Sequence, residues 1–199
     1  GLTEATLRGL LRMTGNPRLV WDSYRRLVQS FAQVVHGAPA QPFDAVLAEY
    51  LQHGGAARAQ ELDARTLAAV TRDYLELYQK LTGDEFPQDV QEQLDAAARA
   101  VFRSWLYARA VEYRRLHHLD DTAGTAVTVQ RMVFGNAGGS SGSGVAFTRN
   151  PATGENRLYI DFLFNAQGED VVSGRQALHD SEQMATVLPQ LMQQIVSIS

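Results

Sequence analysis

For its first 118 residues this chain spaces its apolar side chains three and four apart; from Asp120 to about residue 180 it does not. Spacing of that kind gathers apolar groups on one face of an α-helix, whereas a strand alternates faces with a period of two. Residues 4–13 carry Leu7, Leu10 and Leu11 on one such face, and Gly15 stops the run. Asn16 then offers an N-cap oxygen, with Pro17 at the first helical position, where a missing N–H costs nothing. The helix that follows presents Val20, Tyr24, Leu27, Phe31 and Val34 and ends at Gly37. A third is predicted over 43–52, before Gly54-Gly55. Residues 63–82 repeat the pattern with Leu67, Val70, Tyr74, Leu77 and Leu81, closed by Gly83. Asp89 with Glu92 has the form of a capping box. The helix it starts runs through Val101 and Trp105 and continues, or restarts near 105–108, to about Leu116.

After Asp120 the texture changes. Thr125–Phe134 (TAVTVQRMVF) is β-branched and alternating and predicts a half-buried strand. Residues 135–144 (GNAGGSSGSG) are too rich in Gly and Ser for helix or strand. Val145–Thr148 reads as a short strand, 150–154 as a turn, and Arg157–Phe164 as the hairpin partner. Residues 165–174 (NAQGEDVVSG) form another polar loop, and the chain is helical again from about Ser181, with Pro189 kinking that helix or starting a new one. The predicted class is α+β: a helical subdomain over 1–118, then a small antiparallel β section and C-terminal helices over 119–199.

Charge narrows the chemistry. The net charge is −4; residues 1–118 carry 14 Arg/Lys against 14 Asp/Glu, and the remainder 4 against 8. General affinity for nucleic acid is therefore not expected, and a polyanion bound by the second part would rely on backbone N–H groups, single arginines and metal ions. No apolar run approaches a membrane span. With no cysteine there is no thiolate nucleophile and no Cys-type zinc site. A reducing, cytoplasmic setting is expected, and Gly1 in place of an initiator Met suggests a cut chain.

Two loops could carry chemistry. In Gly138–Gly144 (GGSSGSG) glycines let backbone N–H groups turn toward one point, and serines add hydroxyls, which suits phosphate oxygens. It is not a Walker A loop, since Lys80 is the chain's one lysine, and composition alone favours a plain hairpin loop. Glu169 and Asp170 place adjacent carboxylates after a strand, able to accept from ribose hydroxyls or an adenine amino group; a solvated acidic loop explains them equally. Arg25 and Arg26 lie mid-helix, and Arg149 ends a strand, close to the glycine loop if the hairpin forms. His117-His118 diverge around a helix and lack companion ligands, so no metal site is expected there, and no catalytic triad spacing is present. Trp21, Tyr24 and Phe31 read as core. Both loops are expected to be solvent-exposed or poorly ordered without a ligand, because their glycines carry large backbone entropy.

The stretches Gly15–Arg26 (GNPRLVWDSYRR), Val101–Trp105 (VFRSW), Gly124–Asn136 (GTAVTVQRMVFGN), Ser141–Glu155 (SGSGVAFTRNPATGE) and Asn165–Val172 (NAQGEDVV) resemble the pyruvate phosphate dikinase family, in its order and spacing. The resemblance implies part of an ATP-grasp-type nucleotide-binding domain. The parent enzyme would pass the terminal pyrophosphate portion of ATP to a histidine on a swivelling domain, and then a phosphoryl group to pyruvate to make phosphoenolpyruvate. It also implies that Gly142, Ser143 and Gly144 lie near the ATP phosphates, that Glu169 and Asp170 bind nucleotide, and that Arg25 makes a polar contact. Gly139, Ser140 and Ser143 stand where the family usually has Asp-Thr and a second Thr. Leu106-Tyr107-Ala108 replaces polar residues, and Asp161 a usual Glu. The family's lysine-bearing glycine loop and arginine motif would precede Gly1, and its metal-binding carboxylates would follow Ser199. The implied cofactors are ATP and Mg2+, with metal ligands outside this stretch, and the implied partners are the remaining domains of a homo-oligomeric parent. On these terms the piece alone holds no catalytic residues and is inactive. The alternative is a stand-alone nucleotide- or protein-binding regulatory module.

Overall fold

A computed structural model describes residues 1–172 and 181–198. The chain divides into two compact units, Gly1–Arg131 and Met132–Ser199.

The first unit is helical: α1 (Glu4–Thr14), α2 (Pro17–His36), α3 (Gln41–Gly54), α4 (Ala64–Thr82), α5 (Val90–Ser104) and α6 (Ala108–Leu116). Their ends follow the local chemistry. Asn16 Oδ1 accepts from the Leu19 N–H at 3.0 Å and Pro17 opens α2; Asp63 and Asp89 cap α4 and α5 in the same way. Gly15, Gly37, Gly55 and Gly83 close α1 to α4 in the left-handed conformation that glycine adopts freely. The core lies between α2 and α4, with Val20, Tyr24, Val28, Phe31, Val70, Tyr74 and Tyr78 inside. Phe86 meets Phe31 and Tyr78 edge-on, at 5.4 and 5.3 Å between ring centroids.

The buried stripe drifts from the expected one. Val28 and Tyr78 are sealed, whereas Val34 and Leu81 face solvent. A strict three–four alternation has period 3.5, and a straight helix turns every 3.6 residues, so the face walks off the pattern over several turns. The break between α5 and α6 falls at Trp105–Tyr107. There the Arg114 guanidinium lies 3.9 Å from the centre of the Trp105 ring and donates to the Trp105 carbonyl at 2.8 Å.

The second unit is built on one antiparallel hairpin, β1 (Gly142–Phe147) with β2 (Tyr159–Phe164), paired from Gly142↔Phe164 to Phe147↔Tyr159. The turn between them is held by Asn150, whose Oδ1 accepts from the N–H groups of Ala152 and Thr153. Successive β2 residues alternate faces. Ile160 and Phe162 pack with Met184 of α8 (Ser181–Val187) and with Met192 and Ile195 of α9 (Pro189–Ile198), while Leu163 packs with Val145, Ala166 and Val171. Pro189 starts a helix rather than kinking one.

Three expectations are corrected here. Residues 125–134 form no strand and are mostly exposed, Val133 among them. Alternation expresses a preference for a half-buried pleat, but a strand is made by its ladder, and the only sheet among the described residues pairs β1 with β2 alone. Gly142, Ser143 and Gly144, expected in the loop, lie inside β1. Residues 168–172 of the second polar loop form a short helix, α7 (Gly168–Val172); residues 173–174 of that loop lie outside the described residues.

Candidate functional site

The two loops singled out by composition are hydrogen-bonded to each other in the second unit. Their roots are buried rather than exposed: Gly135, Asn136, Ala166 and Gln167 are all shielded, and the tips Gly139, Ser140, Gly168 and Glu169 face solvent. The expectation of two solvent-exposed loops therefore fails for the roots. The physical reason is mutual satisfaction, since each loop supplies the partners that the other's polar groups would otherwise seek in water.

The bonds run along the whole seam. Gln167 Nε2 donates to Asn136 Oδ1 at 3.0 Å, and Ser143 Oγ donates to the Ala166 carbonyl at 2.8 Å. The Gly138 N–H donates to Asn165 Oδ1 at 3.0 Å, and the Asn165 N–H donates to the Ser141 carbonyl at 2.8 Å. Within the first loop, Ser141 N–H and Oγ both donate to the Gly138 carbonyl, closing a four-residue turn. Within the second, Asp170 Oδ2 accepts from the Gln167 N–H at 2.9 Å, which orients that carboxylate at the start of α7.

Glycine does two different jobs in this seam. Gly138 and Gly139 have φ of 84° and 58°, and a Cβ on either would meet nothing within 4 Å, so the turn stands in open space. Among the described residues the N–H groups of Gly139 and Ser140 have no hydrogen-bond partner. Gly135, Gly142 and Gly144 are different, because there the backbone itself is crowded. A Cβ on Gly144 would lie 2.8 Å from the Asp161 carbonyl oxygen, and one on Gly135 would strike the Ala166 carbonyl and Ser143 Oγ.

Ser143 is thus turned toward Ala166, and Gly142 and Gly144 are strand glycines that admit the close approach of β2. Glu169 and Asp170 open α7, on the segment joined to the glycine turn through Asn165 and Gln167. Arg25 sits in the helical unit, 4% exposed, with its guanidinium bound to Asp22 and 6.0 Å from the centre of the Tyr74 ring. Its side chain is turned into the interior of that unit. Arg149 is also corrected: it lies at the opposite end of β1 from the glycine turn. The six residues of β1 that separate them span about 20 Å, and its guanidinium donates to the Gly154 carbonyl at 3.3 Å.

Asn136, Asn165 and Gln167 were not among the residues proposed from the sequence, yet they hold the loops together. A signal was present in the carboxamides flanking both glycine-bearing loops, since short amides pair with exposed backbone groups. Among the described residues no cluster of three or more His, Asp or Glu side chains could hold a metal ion. The open turn, whose Gly139 and Ser140 N–H groups have no partner among the described residues, fits a phosphate; the Glu169–Asp170 pair alone does not make a magnesium site, because it offers too few oxygen ligands.

Known proteins are similar to this chain in sequence. The domain family described as "Pyruvate phosphate dikinase, AMP/ATP-binding domain" matches residues 88–182. Pyruvate, phosphate dikinase of Clostridium symbiosum is 40% identical over 200 residues, covering 100% of this chain and 23% of that enzyme. The Rhizobium meliloti (strain 1021) enzyme is 47% identical over 174 residues, 87% of this chain and 19% of its own length. The chloroplastic enzyme of Mesembryanthemum crystallinum is 42% identical over 196 residues, 98% of this chain and 20% of its own. The chain spans about a fifth of the length of the curated relatives it matches.

Proposed function

Because this chain is related along its length to a segment of the pyruvate phosphate dikinases, we propose that it forms part of the ATP-binding domain of such an enzyme, within a parent phosphotransferase that makes phosphoenolpyruvate from pyruvate. The single observation that carries the reading is the seam itself: the glycine turn and the acidic segment, far apart in sequence, are hydrogen-bonded into one surface.

In this reading the N–H groups of Gly139 and Ser140 receive a phosphate oxygen, an arrangement that needs no side chain and tolerates close approach. Gly142, Ser143 and Gly144 form the floor beneath the phosphates: the glycines keep β1 close to β2, and Ser143 fixes the second loop. Glu169 and Asp170 accept hydrogen bonds from ribose hydroxyls or the adenine amino group. Arg25 contributes from within the helical subdomain, 1–118, by holding Asp22 and the interior of α2, while the β-rich part, 119–199, carries the nucleotide. Magnesium, when bound with ATP, neutralises triphosphate charge; its ligands are expected elsewhere in the parent. Phosphoryl transfer depends on positioning and on charge neutralisation by cations. Lys80, the one lysine, lies in α4; in this reading the stretch binds and orients the nucleotide, and the reacting groups belong to parts of the parent outside it. A homo-oligomeric, cytoplasmic parent completes the proposal. No described helix is long and apolar enough to cross a membrane.

Calorimetric titration of the chain with Mg-ATP tests the reading. Each charge-assisted hydrogen bond contributes roughly 1.5–3 kcal/mol, against a loss of translational and rotational freedom of about 4–15 kcal/mol. Binding in the millimolar range, with no pyruvate-dependent consumption of ATP, is the expected result. Micromolar affinity by this chain alone would favour a stand-alone nucleotide-binding module instead.

A further inference from the structure

Asn165 occupies an unusual position. It follows β2 directly, with φ of 48°, a left-handed conformation that few residues other than glycine adopt and that Asn tolerates best. That reversal lets its main chain and its side chain face the same neighbour. Its Oδ1 accepts from the Gly138 N–H, the first residue of the glycine turn, and its own N–H donates to the Ser141 carbonyl, the last. One residue therefore holds both ends of the four-residue turn.

What lies between those ends needs holding. Gly138 and Gly139 are consecutive left-handed glycines in open space, with no packed side chain to restrict them. Glycine has the widest backbone freedom of any residue, so an unheld tip would sample many orientations of its N–H groups. On the other side, the two residues after Asn165 are fixed as well: Ala166 accepts from Ser143, and Gln167 donates to Asn136. The acidic pair Glu169–Asp170 follows at once. The glycine turn and the acidic segment thus share a frame whose junction is Asn165.

We propose that Asn165 is a positioning residue of the nucleotide site: by clamping the Gly138–Ser141 turn at both ends it orients the Gly139 and Ser140 N–H groups toward a nucleotide phosphate. This rests on the nucleotide-binding reading above. The side chain acts as a neutral acceptor. A carboxylate of the same shape would still hold the Gly138 N–H but would set a negative charge beside the turn that receives the phosphate.

Two variants of the full chain separate these roles. Asn165→Gly accepts the left-handed φ without strain and removes the side-chain end of the clamp, leaving the main-chain bond to Ser141 in place; Asn165→Asp keeps the acceptor and adds charge. Backbone amide exchange and amide chemical shifts are followed by NMR, alone and during titration with Mg-ATP or, separately, inorganic pyrophosphate. In the parent sequence the Gly138 amide is slow to exchange and the Gly139 and Ser140 amides shift on titration. In Asn165→Gly the Gly138 amide exchanges about tenfold faster and affinity falls about tenfold, the size of one hydrogen bond, while the Ile160–Phe162 amides keep their protection. In Asn165→Asp the Gly138 amide stays protected but both ligands bind more weakly. Equal Gly138 exchange in parent and Asn165→Gly would overturn the clamp. Affinity of Asn165→Gly within about twofold of the parent would overturn the positioning role. If neither ligand shifts the tip amides of the parent sequence while the Asn165→Gly exchange effect persists, the nucleotide reading fails and the clamp stands as a feature of the fold. Should Asn165→Gly lose its hairpin, the Asn165→Asp arm decides, because unchanged affinity there would overturn the proposal.

Discussion

Replacing Gly142 by Ala separates a glycine required by packing from one required by a ligand. In β1, Gly142 stands opposite Phe164. A Cβ built there would lie 2.6 Å from the Leu163 carbonyl oxygen and 3.0 Å from a carbon of the Phe162 ring, whose tip is closer still. The ring belongs to the cluster with Ile160 and Met184 and meets Phe164 edge-on, 4.9 Å away between centroids, so moving it disturbs that packing. The carbonyl cannot give way without shifting the ladder. Overpacking of this kind costs about 1–3 kcal/mol, and exchange governed by opening of the hairpin should speed by about 5- to 150-fold. Amide exchange across Val145–Phe147 and Ile160–Phe164 reads the effect. The two tryptophans, Trp21 and Trp105, both belong to the helical unit, so its fluorescence-monitored unfolding should be unchanged and serves as the internal control. Unaltered protection of the hairpin in Gly142→Ala, with nucleotide binding lost, would refute the packing account and make Gly142 a ligand-facing glycine.

Two further outcomes concern the helical unit. Asp22 is sealed against Arg25 and Arg26, and Arg25 is itself buried. Asp22→Ala should therefore destabilise the unit by about 3–5 kcal/mol, the range for stranding one member of a buried ion pair, as read by denaturant unfolding with tryptophan fluorescence; a loss under about 1 kcal/mol would contradict that burial. Burial first, and the Asp84 carboxylate second, push the Tyr78 hydroxyl up to about 12. Folding favours its neutral form, so the stability it contributes is complete below about pH 10 and is lost as the pH climbs through about 12. Circular dichroism of urea unfolding across that window should show the decline, and Tyr78→Phe should flatten it.

The sequence by itself determined the helices, because their signals are local. Asn16-Pro17, Asp63, Asp89 and the closing glycines satisfy or terminate backbone groups within a few residues, and no distant partner is needed to make that chemistry work. The hairpin over 145–148 and 157–164 was legible for the same reason, its Asn150–Gly154 turn being encoded on the spot. The alternation of Thr125–Phe134 looked equally strand-like and produced no strand, since a strand is completed by a neighbour that sequence periodicity does not supply.

The candidate site divides in the same way. Both loops were recognisable as polar and glycine-rich, and the words around them identified a nucleotide-binding family. Tertiary structure alone decided which glycines are open and which are crowded: Gly138 and Gly139 face space, while Gly142 and Gly144 have a carbonyl oxygen of β2 where a side chain would be. Composition treats all four alike, because what separates them is the distance to atoms some twenty residues away along the chain. Tertiary structure also turned Arg25 inward to Asp22 and joined the two loops through Asn136, Asn165 and Gln167. A carboxamide's partner depends on where the chain returns, and that is settled only when the hairpin closes and brings residue 165 back beside residue 138.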